Sequence, residues 1–199
     1  MAEQRRWIFG AVLSAALLIP GSAVAQEKAQ NHQGAAAPAA ADPSKPGAEQ
    51  ASLATLAGDY NRVIKFVAQM GATAAPSSGT AKISVQLGGR FLLEESTDTV
   101  FGRTVEGLRV YGYDNATKQY EMARMYTMST AITMMKGTSI DGGKTIDFIG
   151  ESESSGGGKT PLHVRLRRVS DDEFVETFFT AGPDGKEAAF QETTYTRKK

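Results

Sequence analysis

The segment at residues 81–90 reads Ala81-Lys82-Ile83-Ser84-Val85-Gln86-Leu87-Gly88-Gly89-Arg90. Apolar residues occupy the odd positions and polar residues the even positions, and this period of two is typical of a strand with one buried face. The Gly-Gly pair that follows favours a two-residue turn into a second strand over residues 90–97. The segment therefore predicts an antiparallel β-hairpin.

The same alternation recurs along most of the chain and predicts further strands over residues 60–66, 108–111, 119–128, 131–140, 144–151, 162–169, 173–181 and 187–196. Short turns such as 114–118 and 182–186 join them, and parallel neighbours would need crossovers of about a dozen residues or more. A meander of ten strands leaves two exposed edges unless it closes. The sequence thus predicts an all-β fold, an antiparallel up-and-down barrel of about ten strands, with a two-sheet sandwich as the alternative.

The first 25 residues are organised like a signal peptide. Arg5-Arg6 precedes an apolar stretch over residues 7–19, and Ala23-Val24-Ala25 matches the pattern cleaved by signal peptidase. The stretch is short for a helix that must cross about 30 Å of hydrocarbon, so an uncleaved anchor is the less favoured interpretation. We expect cleavage after Ala25, no integral membrane span in the mature protein, and a periplasmic or secreted location.

Residues 26–50 are rich in alanine and interrupted by Pro38, Pro43 and Pro46, a composition that predicts a disordered linker. His32 lies in this linker and is expected to be solvated. The predicted barrel domain covers residues 51–199, with one short helical turn over residues 52–57 before the first strand.

Composition excludes several functional classes. Lys+Arg and Asp+Glu both number 22, so the basic surplus that nucleic-acid binding needs is missing. The sequence has no cysteine and two histidines, which excludes thiolate chemistry and argues against a multi-histidine metal site. We expect no cofactor and no nucleic-acid partner; the sequence leaves the oligomeric state open.

Three local features contain residue types that could bind a ligand or catalyse a reaction. Residues 155–160 (Ser155-Gly156-Gly157-Gly158-Lys159-Thr160) depart from the phosphate-loop pattern and lead into Pro161 and a strand, which favours a hairpin loop. His163 alternates with Arg165 and Arg167, which favours a solvated face or a polar lumen over haem ligation. Glu94 and Glu95 are adjacent on a strand and point to opposite faces, so they cannot form a catalytic pair unaided. The sequence offers no catalytic set, and we lean against an enzyme.

The most unusual local composition lies in residues 119–135, which contain five of the seven methionines. One predicted strand face there carries the residues Tyr120, Met122, Arg124, Tyr126 and Met128. Methionine adapts to irregular ligands, and an arginine on such a face could bind a carboxylate or phosphate head group. These five residues are the candidate ligand-binding site; ordinary barrel wall is the alternative.

Several motifs resemble an uncharacterised bacterial family, the domain of unknown function 1579. They are residues 87–95 (Leu-Gly-Gly-Arg-Phe-Leu-Leu-Glu-Glu), Glu106-Gly107-Leu108, residues 111–118 (Tyr-Gly-Tyr-Asp-Asn-Ala-Thr-Lys) and the C-terminal residues 182–198. The family resembles lipocalin-like (calycin) barrels, which implies closure of the sheet. It implies no activity and no catalytic residues, and Tyr60, Arg124 and Tyr126 depart from its common pattern.

Two functions follow from these observations. The first is a barrel that binds a small apolar or amphipathic anionic molecule. The second is a non-catalytic structural or interaction barrel with a filled interior. The volume left inside the barrel distinguishes them, because side-chain size decides whether a barrel of this size is filled.

Overall fold

A computed structural model describes residues 42–67, 76–153, 157–181 and 185–199. The predicted signal peptide, His32 and most of the predicted linker lie outside these ranges, as do residues 154–156 and 182–184 of two predicted loops. Among the helices in these ranges, none has the length and apolar character needed to cross a membrane.

The described chain forms one short helix and ten antiparallel strands that close into a barrel. Each strand pairs with its sequence neighbours, and β1 pairs with β10 to close the sheet. The predicted up-and-down barrel is confirmed, and the sandwich alternative is wrong. The elements are α1 (Ala48–Ala54), β1 (Gly58–Phe66), β2 (Ser77–Gln86), β3 (Phe91–Val100), β4 (Arg103–Asp114), β5 (Gln119–Tyr126), β6 (Thr133–Thr138), β7 (Thr145–Glu153), β8 (Lys159–Arg168), β9 (Glu173–Ala181) and β10 (Glu187–Arg197).

Alternation along the strands places one set of side chains inside the barrel. In β1, Tyr60, Arg62 and Ile64 are buried while the residues between them are exposed. The register Arg62↔Tyr195 closes the barrel between β1 and β10. Gly185, in the turn before β10, has φ of 75°, the left-handed conformation that this turn requires of a glycine.

Helix α1 closes the end of the barrel at which β1 starts. Leu53 and Leu56, in and just after α1, are buried in the apolar core. Gln50 is also buried, accepts a 2.8 Å hydrogen bond from the Gly47 amide and donates a 2.9 Å bond to the Tyr113 carbonyl. The structure therefore differs from the predicted boundary at residue 50, because the end of the predicted linker is packed against the barrel. The helix has only seven residues and is held by a few tertiary contacts, so it is too short for its apolar residues to repeat with a helical period in the sequence.

The half of the interior next to α1 is filled. Its side chains are mainly apolar and aromatic: Leu53, Leu56, Tyr60, Ile83, Leu92, Tyr111, Tyr120, Met122, Met135, Ile146, Phe148, Leu166, Phe174 and Tyr195. Phe174 stacks on Tyr195 with ring centroids 4.0 Å apart, and Tyr60 meets both rings edge-on. This packing fills the interior next to α1, and the hollow of about 890 Å³ at this end lies beside α1, where Leu56, Tyr60 and Phe174 contribute to its lining.

Candidate ligand cavity and its charged layer

The middle of the barrel holds a cluster of buried ionisable side chains. Arg109 on β4 lies 3.1 Å from Glu94 Oε1 on β3 and 2.7 Å from Glu176 Oε2 on β9. The Tyr111 hydroxyl lies 2.9 Å from an oxygen of each carboxylate and can donate its one proton to either, and the Tyr195 hydroxyl also contacts both. Both glutamates are 0% exposed and Arg109 is 7% exposed. One guanidinium therefore pairs with two carboxylates inside the barrel.

The electrostatics of this cluster are set by burial and by charge pairing. Burial opposes ionisation of Glu94, but the Arg109 and Arg62 guanidiniums outweigh it and lower its pKa. Burial also opposes the charge on Arg109, yet Glu176 and Glu94 raise its pKa well above the ordinary value. Burial raises the pKa of Tyr111 and of Tyr195, so both phenols stay protonated and act as donors.

A second ion pair lies beside the first. Arg62 on β1 contacts Asp98 Oδ2 on β3 at 2.6 Å, and its guanidinium lies 4.8 Å from the centroid of the Tyr195 ring. Burial raises the pKa of Asp98 although Arg62 opposes that shift. Asp98 Oδ1 points at Gly79 of β2, where a Cβ would lie 2.5 Å from the Thr97 carbonyl oxygen and closer still to Oδ1. We refer to Arg62, Glu94, Asp98, Arg109 and Glu176 as the charged layer.

Arg124 on β5 is a third interior guanidinium, and it differs from the other two. Within the described residues it makes no ion pair and no hydrogen bond. Its guanidinium instead lies 4.7 Å from the Tyr126 ring centroid and 5.0 Å from that of Phe178. Burial lowers the pKa of Arg124 to about 10, which leaves the group charged at neutral pH. Arg124 is thus a half-buried cation with no acidic partner among the described residues.

A cavity of about 280 Å³ lies above the charged layer, at the end of the barrel away from α1. Its polar lining is Arg62, Ser96, Asp98, Arg109, Arg124, Ser152 and Gln191, and its apolar or aromatic lining includes Ile64, Phe66, Val100, Phe101, Met125, Tyr126, Met128, Leu162 and Phe190. The cavity lining therefore combines three guanidiniums and one carboxylate with apolar and aromatic walls. We call it the end cavity.

The five residues predicted from the sequence do not all lie there. Arg124, Tyr126 and Met128 line the end cavity. Met122 is 1% exposed in the apolar core, and Tyr120 packs on Tyr113 near α1 with ring centroids 4.9 Å apart. One strand face runs the length of the barrel, so its two ends contact different regions.

Sequence reasoning missed the charged layer. Leu92, Glu94, Ser96 and Asp98 share the inward face of β3, and the alternation of that strand could have shown the two acids at interior positions. It could not show their partners, because Arg109 and Glu176 are 67 residues apart in sequence. Closure and register of the sheet bring them together.

The other candidate groups lie outside the end cavity. His163 is on the outer wall, where its ring nitrogens lie 2.8 Å from Asp147 and 2.7 Å from Glu187, and its ring stacks on Phe179. The position does not suit a ligand to haem inside the barrel. Lys159 begins strand β8 rather than a helix, as the hairpin interpretation of residues 155–160 predicts. The described ranges contain no group of three or more histidine, aspartate or glutamate side chains placed to hold a metal ion.

A larger hollow of about 830 Å³ lies on the outer wall of the barrel. Lys82, Glu95 and Glu106 contribute to its lining, and all three are exposed. Charges of both signs in contact with water give it no selectivity for a charged head group. The end cavity, where Arg124 is half-buried and has no acidic partner among the described residues, is the better candidate.

These features define a class, a closed ten-strand antiparallel barrel with a charged layer and a cavity at one end. The chain belongs to the family described as "Protein of unknown function (DUF1579)", which matches residues 45–197. The resemblance inferred from the motifs is thus confirmed.

Several solved structures are similar to this chain. Rv2717c from M. tuberculosis matches with 12% identity and a TM-score of 0.54, over 78% of this chain and all of that one. An S-type phycobiliprotein lyase, CPES from Guillardia theta, matches with 10% identity and a TM-score of 0.45 over 78% of this chain and 94% of its own. A redesigned beta barrel matches with 16% identity and a TM-score of 0.40 over 75% and 96%. No curated protein matches.

Proposed function

We propose that this barrel binds a small amphipathic anion in the end cavity, with the anionic head on Arg124 and the apolar body against the cavity walls. The observation that carries the proposal is that Arg124 forms no ion pair with any acid in the described part of the chain. Arg124 is half-buried on the cavity wall and desolvation lowers its pKa, and a bound carboxylate would pair with it through charge-assisted hydrogen bonds.

The size of the end cavity limits the ligand. Its volume of about 280 Å³ is at the lower end of the roughly 300–1,000 Å³ found for ligand pockets. The charged layer and the apolar core beneath it fill the rest of the interior. We infer a compact ligand rather than a long acyl chain.

The test uses two compact acids, 3-phenylpropionate and 3-cyclohexylpropionate, with their neutral amides as controls. We expect Arg124→Met to weaken binding of either acid by about 1.5–3 kcal/mol and to change amide binding little, because a hydrogen bond to a charged group has that magnitude. Titration calorimetry measures both. Arg165→Met is the matched control, since Arg165 lies 5.7 Å from the Phe179 ring centroid on the outer wall.

Two results would overturn the proposal. One is the absence of binding by either acid at about millimolar concentration. The other is an Arg124→Met variant that binds the acids as tightly as the wild type. Either result would favour the second function, a structural or interaction barrel. The filled half of the interior next to α1 supports that function.

We also propose that the protein acts after export, in the periplasm or outside the cell. The support is the Ala23-Val24-Ala25 pattern behind a short apolar stretch. N-terminal sequencing of the exported protein should begin at Gln26. Retention of residues 1–25 in a membrane fraction would contradict this.

A further inference from the structure

The hairpin between β3 and β4 has an unusual residue at its tip. Val100 pairs with Arg103, so Phe101 and Gly102 form a two-residue turn, with φ of 50° and 74°. Positive φ at both positions is typical of a type I′ turn, for which Asn-Gly is strongly preferred. Phenylalanine is disfavoured in this conformation because its Cβ crowds the backbone. The side chain is also 67% exposed.

The position of Phe101 distinguishes it from another residue with the same backbone conformation. Leu87, in the turn between β2 and β3, has φ of 47° and is 70% exposed, but it lies at the end of the barrel near α1. Phe101 lines the end cavity and stacks on Phe66, with ring centroids 4.9 Å apart and planes inclined by 27°. Positive φ is therefore shared by both residues and does not identify a ligand-binding residue. Phe101 differs because it belongs to an aromatic pair on the wall of the end cavity.

The rest of the wall has the same aromatic character. Tyr126 and Phe190 also line the end cavity, and the Tyr126 ring already lies against the unpaired Arg124. Aromatic rings that meet edge-on or offset-stacked gain about 2- to 12-fold in affinity beyond the area they bury, the factor that 0.5–1.5 kcal/mol represents. A cavity of this size accommodates one ring with a short acidic chain.

We propose that the ligand class is an aromatic carboxylate, whose ring is held by the Phe66–Phe101 pair while its carboxylate meets Arg124. This inference rests on the proposed function and adds the chemistry of the apolar part. It makes Phe101 a specificity-determining residue, which explains an exposed aromatic at a turn position where asparagine would fit the backbone better.

The test compares 3-phenylpropionate with 3-cyclohexylpropionate, which match in charge, chain length and number of heavy atoms. The wild type should bind the phenyl acid about 2- to 12-fold more tightly. Phe101→Asn should abolish that preference while the cyclohexyl acid changes less than about twofold. The variant creates the favoured Asn-Gly turn, so its melting temperature should not fall substantially. Leu87→Asn, the matched control, should leave the preference intact.

The outcomes separate this inference from the proposed function. If both acids bind, depend on Arg124 and show equal affinity in the wild type, the aromatic inference is wrong and the anion site stands. If Phe101→Asn weakens both acids equally, Phe101 is only a wall contact and the inference also fails. If neither acid binds, both proposals fall together.

Discussion

Arg109 provides the sharpest test of the charged layer. It is the guanidinium shared by Glu94 and Glu176, both fully buried. Arg109→Met keeps much of the side-chain volume and removes the charge. Removing one partner of a buried ion pair costs about 3–5 kcal/mol, because the remaining charge stays desolvated.

The magnitude can also be derived from proton uptake. Without Arg109, Glu94 still has the Arg62 charge nearby, so we expect one proton to be taken up by the carboxylate pair on folding. Protonating a glutamate with an unfolded pKa of about 4.3 costs about 3.7 kcal/mol at pH 7 and about 1 kcal/mol at pH 5. The folded variant then binds more protons than its unfolded chain, so its deficit relative to the wild type should shrink as pH falls from 7 to 5.

Urea unfolding followed by circular dichroism at pH 5, 6 and 7 measures this deficit. The control is Arg109→Met combined with Glu176→Gln, which removes the need for the proton and should show a deficit independent of pH over this window. The reasoning is refuted if Arg109→Met loses less than about 1 kcal/mol at pH 7, or if its deficit is the same at pH 5 and pH 7. In the wild type the lowered pKa of Glu94 stabilises the fold above the unfolded pKa, and that contribution is lost when the pH falls through the folded value.

Two further changes test other parts of the barrel. Gly79→Ala should cost about 1–3 kcal/mol in unfolding free energy, because its Cβ would overlap the Thr97 carbonyl and Asp98. The control is Gly47→Ala, because Gly47 has φ of −115° and its Cβ would approach Gln50 Oε1 no closer than 3.5 Å. Equal costs for the two variants would contradict the overlap argument. A chain beginning at Ala51 should be less stable than one beginning at Asp42 by about 1–3 kcal/mol, since it lacks the buried Gln50 and its hydrogen bonds. Equal melting temperatures would show that residues 42–50 contribute nothing to the stability of the barrel.

The barrel could be predicted from the sequence because its determinants are local. Alternation in residues 81–87 predicts a strand, and short turns predict antiparallel neighbours. The buried face holds Ala81 and Ile83, whereas Val85 and Leu87 are exposed because they lie at the end of the strand and in the turn. The motif from Gly182 to Lys186 likewise predicted the pairing of β9 with β10, which begins at Glu187↔Ala181. Ten such units with two free edges have few ways to form a stable sheet other than closure.

The interior could be predicted only in part, because its chemistry depends on distant strands. Arg124 was identified from its own strand, since an arginine among methionines and tyrosines is unusual. Whether it has a partner depends on strands β3 and β9, which supply Glu94 and Glu176 to Arg109 instead. The division of one strand face between the core at Met122 and the cavity at Arg124 likewise depends on where α1 fills the barrel.

The arrangement of charges links the filled half of the barrel to the proposed site. Among the described residues, the charged layer and Arg124 together supply three guanidiniums and three carboxylates, but Arg109 pairs with both glutamates and Arg62 pairs with Asp98. Arg124 is therefore the guanidinium without an acid, although the charges are equal in number. If Arg109 had only one glutamate, the other could turn to Arg124 and the cavity would lose its cation. The hydroxyls of Tyr111 and Tyr195 hold both glutamates in place. The packing that fills the half of the interior next to α1 therefore also keeps the glutamates away from Arg124, which stays available to an incoming anion.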